Sequence, residues 1–151
     1  MKRRNLKINR AVYILLTLWL AVSSCQNNTY YHSYQSVSTA GWHKNDTLVY
    51  SLPNAINLLD YELEIGIRHK DTYKYRDLWL TINEDTLHLY FADSIGKWKG
   101  KGTGNTRQLT YPWDINRPSQ DSISELRIIH IMKDSILSDI QDIGLQIKRY
   151  P

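Results

Sequence analysis

The stretch YELEIGIRHK, residues 61–70, alternates apolar and polar side chains along its length. Tyr61, Leu63, Ile65 and Ile67 fall on one face, and Glu62, Glu64, Gly66 and Arg68 on the other. A helix repeats its apolar positions every three or four residues, so a period of two predicts a strand with one buried and one wet face. The pattern returns in RDLWLTIN, with Leu78, Leu80 and Ile82 inward, and in DTLHLYFA, with Leu87, Leu89 and Phe91 inward. TLVYSL reads as a further strand ended by Pro53-Asn54, and TRQLTYPW as a weaker one. SELRIIHIM is apolar on both faces around Ile128 to Ile131, as in a central strand, and DIGLQIKRY closes the chain with Ile143, Leu145 and Ile147 inward. In KDSILSDIQDIG, Ile136, Ile140 and Ile143 have helical spacing, and a single helical turn or a β-arch fits equally well.

Seven short strands with turns between them, and no helical pattern of ten residues, predict an all-β chain. The expected architecture is a single antiparallel β-sandwich, jelly-roll-like, over residues 46–151. A chain of 151 residues has room for one such core.

The first 24 residues follow another logic. Lys2, Arg3, Arg4, Lys7 and Arg10 precede the apolar run AVYILLTLWLAV, which gives way to Ser23, Ser24 and Cys25. Charged, apolar and small-residue regions in that order predict an export signal over residues 1–24. The apolar run is 12 residues long, short of the ~20 that a membrane-spanning helix needs. Val22-Ser23-Ser24-Cys25 resembles the bacterial lipobox, in which the cysteine is lipidated and becomes the mature N-terminus. Cys25 is the sole cysteine, so an intramolecular disulfide is excluded. Residues 25–45 are then expected to be a lipidated N-terminus and tether, since CQNNTYYHSYQSVSTAGW is polar and has no clear hydrophobic period.

The formal net charge of +4 is concentrated in that leader. Without its five cations the chain carries 14 basic and 15 acidic side chains, a formal net of −1. A nucleic-acid binder needs a clustered basic footprint, so no nucleic-acid partner is expected.

SIGKWKGKGTGN, residues 94–105, is the stretch most suggestive of phosphate chemistry. It fails the P-loop pattern, because the sixth and seventh residues from Gly96 are Lys101 and Gly102. It fails the dinucleotide fingerprint as well, since Gly104 comes one residue early and strands rather than a helix flank it. The reading left is a turn or bulge whose glycines permit positive φ, whose Lys97, Lys99 and Lys101 keep an edge soluble, and whose Trp98 turns inward. A contact role for those lysines stays open beside it.

His32, His43, His69, His88 and His130 show no paired metal-ligand spacing and no second thiol to join, so no metal and no cofactor are expected. His130 shares a face with Leu126 and Ile128 and reads as a structural imidazole. No G-x-S-x-G elbow occurs, and Glu62 and Glu64 read as a solvated strand face rather than a glycosidase pair. The chain is not expected to be an enzyme.

The richest signal left is aromatic: Trp42, Trp79, Trp98, Trp113, ten tyrosines and Phe91 follow the leader. Trp79 points away from the face of Leu78 and Leu80, which marks it for a partner or a stacked sugar ring. Tyr73, Tyr75, Trp79, Trp98, Lys97, Lys99 and Lys101 are the candidate partner or glycan contacts.

The series Cys25, GWHKNDTLVYSL, YELEIGIRHKDTYKYRDLWLTI, DTLHLYFADSIGKWKGKGTGN and HIMKDSILSDIQDIGLQIKR resembles the gliding-motility lipoprotein family GldH of Bacteroidetes over essentially the whole mature chain. DTYKYRDLWL, GKWKGKG and DIGLQI are its most specific pieces. The resemblance implies a lipid-anchored, non-enzymatic protein of the cell envelope that takes part in an assembly with other envelope proteins, and it carries over one functional position, Cys25. A carbohydrate-binding module is the alternative. Gln26 after the cysteine, in place of Asp, implies the outer membrane by similarity, and the absence of acidic residues in QNNTYYHSY implies the periplasmic side.

Overall fold

The computed structural model describes residues 28–114 and 122–150. The expected signal over residues 1–24 and the lipidation site Cys25 lie outside the described residues. Ten strands follow in chain order: β1 (Thr29–Ser36), β2 (Trp42–His43), β3 (Leu48–Ile56), β4 (Tyr61–Lys70), β5 (Asp77–Ile82), β6 (Asp85–Tyr90), β7 (Thr106–Pro112), β8 (Ile123–His130), β9 (Ile136–Leu137) and β10 (Ile140–Arg149). A short 3-10 turn, Leu58–Asp60, leads into β4. No described helix is long and apolar enough to cross a membrane.

Two four-stranded antiparallel sheets make up the body, one ordered β1-β10-β4-β7 and the other β3-β8-β5-β6, with β2 and β9 paired apart. With those two short strands set aside, the eight main strands lie in the order first, eighth, third, sixth and second, seventh, fourth, fifth. That is the winding of a jelly roll, in which two Greek keys share one sandwich.

Alternation fixes which side chains fill the gap between the sheets. Ile65, Ile67, Ile143, Leu145 and Ile147 from one sheet meet Leu78, Leu80, Leu126 and Ile128 from the other, and all nine are fully buried. Each such side chain contributes about 1.5–3 kcal/mol by leaving water. β8 lies between β3 and β5, which accounts for its apolar run. The ambiguous KDSILSDIQDIG segment is not helical: β9 pairs with β2, and the chain turns at Asp139 (φ 68) before β10 joins the opposite sheet.

Two expectations need correction. The stretch expected to be a tether, residues 25–45, contains β1, which pairs with β10 from Thr29↔Lys148 to Ser36↔Asp142. Its sequence TYYHSYQS has no aliphatic residue, so the hydrophobic period is silent there, and the strand is built on tyrosines and small polar residues instead. Pro53-Asn54 does not end β3. The pairing of β3 with β8 lapses after Ser51 and resumes at Ile56, which an edge strand tolerates because a missing proline N–H there breaks no ladder.

Candidate functional site

β5 and β6 form a hairpin closed by Asn83 and Glu84, with Asn83 at φ 52. That two-residue turn sets the register, placing Trp79 opposite His88 and Asp77 opposite Tyr90. All four alternate with buried Leu78, Leu80 and Leu89 and so stand on the outer face of their sheet. The Trp79 indole stacks on the His88 ring with centroids 3.8 Å apart and 14° between planes. The Tyr90 ring centroid lies 4.1 Å from that of His88, tilted by 48°.

His88 Nε2 donates to Asp77 Oδ2 at 2.6 Å, which locks the imidazole under the indole. The Trp79 backbone is held in turn, its carbonyl accepting from the Ile131 N–H at 2.9 Å and its N–H facing Met132 Sδ at 3.2 Å. Tyr111 donates its hydroxyl to the Tyr90 carbonyl, tying β7 of one sheet to the end of β6 in the other. Burial pushes the Tyr111 phenol up to about 12, so it stays a donor at neutral pH. The result is a pre-organised platform on which Trp79 is 40%, Ile131 46% and Tyr90 54% exposed.

The glycine-lysine run is a strap over the free edge of β7. Asp93 Oδ1 accepts from the backbone N–H groups of Ile95 and Lys97 at 3.0 and 2.9 Å and so closes the turn that opens it. Beyond it, K-W-K-G-K-G alternates as a strand does. Trp98 faces the domain, its ring 4.9 Å from that of buried His69, while Lys97, Lys99 and Lys101 are exposed. Lys101 and Gln108 exchange backbone hydrogen bonds of 3.0 and 2.7 Å. The glycines are required by closeness: a Cβ at Gly100 (φ 83) would lie 2.4 Å from the Gln108 carbonyl oxygen, and one at Gly102 would lie 1.9 Å from that of Thr106.

The structure separates the other expected contacts. Trp79 is on the platform, Trp98 is partly buried against the core, and the three lysines line the strap. Tyr73 does not belong with them. It is 4% exposed, packs against Phe91 and His69, and donates to the Asp77 carbonyl at 3.2 Å, its own N–H closing a turn onto the Lys70 carbonyl at 3.0 Å. Burial pushes its phenol well above the ordinary tyrosine range. Tyr75 packs on the edge of Tyr73 and lies under Lys74 Nζ, which pairs with Asp134 at 3.0 Å. Glu64 is paired with Lys148 at 2.8 Å.

Sequence reasoning missed His88, Tyr90 and Ile131 as members of the platform. Counting outward from the two-residue Asn83-Glu84 turn would have found the Trp79–His88 pair.

The family model for the GldH lipoprotein matches residues 29–147. The chain belongs to the GldH lipoprotein family. The match runs from the first residue of β1 to within two residues of the end of β10, so family membership covers both sheets, the platform and the strap. Among characterised sequences the chain is similar to a gliding motility lipoprotein GldH homolog of Christiangramia forsetii, 28% identical over 107 residues that cover 65% of each protein. It is also similar to the gliding motility lipoprotein GldH of Flavobacterium johnsoniae, 24% identical over 151 residues covering 90% of this chain and 94% of that protein. The chain thus spans just under two thirds of the first of these relatives and nearly all of the second. No solved structure matches the chain.

Proposed function

We propose that this protein is a non-enzymatic, lipid-anchored component of the cell envelope that works by holding a protein partner on the outer face of the β3-β8-β5-β6 sheet. The observation that carries the reading is the Trp79–His88–Tyr90 ladder, continued by Ile131: large side chains left exposed on a sheet face yet fixed by stacking, by Asp77 and by backbone hydrogen bonds. Exposed aromatic and aliphatic groups held in one geometry lose little entropy on binding, which is the make-up of an interface hot spot. Acylation of Cys25 supplies the anchor, and the relatives named for gliding motility supply the setting of an envelope assembly. Gln26 behind that cysteine favours the outer membrane, and the absence of acidic residues in QNNTYYHSY favours the periplasmic side.

The test is a photo-crosslinking residue placed at position 79 or 90 in growing cells, with positions 32 and 146 on the opposite sheet as controls. The reading predicts one discrete crosslinked envelope protein from the platform and none from the controls. Equal products from both faces, or none from the platform, would overturn it.

Carbohydrate binding is the second reading, favoured by an exposed indole beside a histidine–carboxylate pair able to hydrogen-bond a sugar hydroxyl. Saturable glycan binding that Trp79→Ala abolishes would support it, and an indole emission spectrum unmoved by every glycan tried would remove it.

A further inference from the structure

An open groove of about 970 Å³ runs between the glycine-lysine strap and β7, away from the Trp79 platform. Arg68, Lys99, Lys101, Thr103, Thr106 and Thr110 line it, and none of the described residues around it is an Asp or Glu.

The cations elsewhere are either paired or scattered: Lys44, Arg76, Lys133 and Arg149 have no carboxylate within 4.0 Å among the described residues but stand apart in sequence. Arg68, Lys70, Lys74, Arg107, Arg127 and Lys148 each lie within 4.0 Å of a carboxylate. Lys97, Lys99 and Lys101 have no such partner among the described residues, although they crowd into five positions of sequence. The backbone keeps them there. Contact of Gly100 and Gly102 with the Gln108 and Thr106 carbonyls leaves every second residue of the strap facing out, so Lys99 and Lys101 emerge on one side. Three like charges held this close repel one another, a standing cost that a bound anion would remove.

Behind them Arg68 is fixed by Gln108 at 3.1 Å, by Asp142 at 3.6 Å and by the Tyr34 ring at 4.4 Å, so it adds a rigid donor to the wall. The Thr103 and Thr110 hydroxyls on the same wall are the neutral donors that phosphate oxygens accept from, whereas Thr106 already donates to Gln141 Oε1 at 3.0 Å.

The geometry points to a binding site for a phosphate-bearing anion in this groove, with Lys99 and Lys101 as its charged contacts and Thr103 and Thr110 as hydroxyl donors. The ligand bears more than one negative charge, matching two lysines at alternate positions of the strap. A lipid headgroup and a soluble phosphate ester share that chemistry. Trp79, His88, Tyr90 and Ile131 do not line the groove, so the crosslinking test of the platform and the binding test of the groove can fail separately.

The test uses the full chain, purified in uncharged detergent micelles, and two probes: inorganic tripolyphosphate, and lysophosphatidic acid, whose phosphomonoester has two ionisable oxygens, added to the micelles. Binding is followed by amide shifts of residues 99–110. The expected result is saturable binding that weakens with salt and that Lys99→Gln/Lys101→Gln weakens about tenfold or more. Lys44→Gln/Lys133→Gln, which lie outside the groove, should bind as the unchanged protein does. Loss with both probes identifies soluble phosphate as sufficient, and loss with the lipid alone identifies a headgroup. Equal binding by the Lys99/Lys101 double variant, with an unchanged melting temperature, would overturn the assignment, as would no binding of either probe.

Discussion

The hydroxyl of Tyr50, on β3, donates to the carbonyl of Ile143, on β10, at 2.7 Å in the middle of the core. It is a polar bond between the two sheets, and Gln35 makes a second by donating to the Val49 carbonyl at 2.6 Å. Burial pushes the Tyr50 phenol far above its ordinary range, so the donor is never lost at accessible pH. Tyr50→Phe keeps the ring and removes the bond, and should cost about 1 kcal/mol. Tyr50→Ala also opens a cavity and should cost about 3–5 kcal/mol. Urea midpoints at constant slope measure both.

The tryptophans divide into structural and exposed members. Trp42 is 1% exposed, and Trp42→Ala should cost about 3–5 kcal/mol. Trp79 is 40% exposed, and Trp79→Ala should cost about 1 kcal/mol or less while removing the crosslinked or retained partner. A Trp79→Ala chain that melts far below the parent would show that the indole is a core residue.

Two buried histidines should make the fold sensitive to acid. Burial lowers the value of His69, whose Nδ1–H donates to the Lys70 carbonyl at 2.9 Å and whose Nε2 has no partner among the described residues. Burial also lowers that of His130, which donates through Nε2 to the Trp42 carbonyl at 3.1 Å. Asp71 and Arg107 act on the first in opposite senses, as do Asp46 and the pair His43 and Lys44 on the second. The unfolded chain, titrating near about 6.5, binds these protons first, so stability is full above that pH and falls as pH drops through the lowered folded values. Denaturant midpoints should be flat above pH ~7 and decline below ~6.5. His69→Phe, stacked on Phe91 as the imidazole is, should flatten part of that slope.

How much of this was legible depends on what each strand is made of. β4 runs over the ten residues whose alternation announced it, because Leu63, Ile65 and Ile67 are aliphatic and the period shows. β1 escaped because its inward positions are filled by Tyr31, Ser33 and Gln35, none of them aliphatic, with Tyr31 packed against the core and Gln35 hydrogen-bonded to the Val49 carbonyl. Trp79 was marked by its position opposite the leucines, yet its partners His88 and Tyr90 come from the neighbouring strand, and only register brings them together. Tyr73 was misplaced because an aromatic in a loop carries no period to say which way it faces.

The strap makes a separate prediction. Gly100→Ala forces a side chain into positive φ and onto a carbonyl oxygen 2.4 Å away, and should cost about 1–3 kcal/mol. Because Trp98 is carried by the same strap, its release should be seen as a red shift in indole emission. An unshifted spectrum with an unchanged midpoint would mean that the strap does not hold Trp98.

The whole account presupposes a domain fixed at a lipid surface through one sulfur. The most direct check is the intact mass of the protein extracted from native membranes. The account predicts a chain that begins at Cys25 and carries acyl mass on that residue, with Cys25→Ala found free of the membrane fraction. A chain that retains residues 1–24 and shows no lipid mass on Cys25 would contradict it.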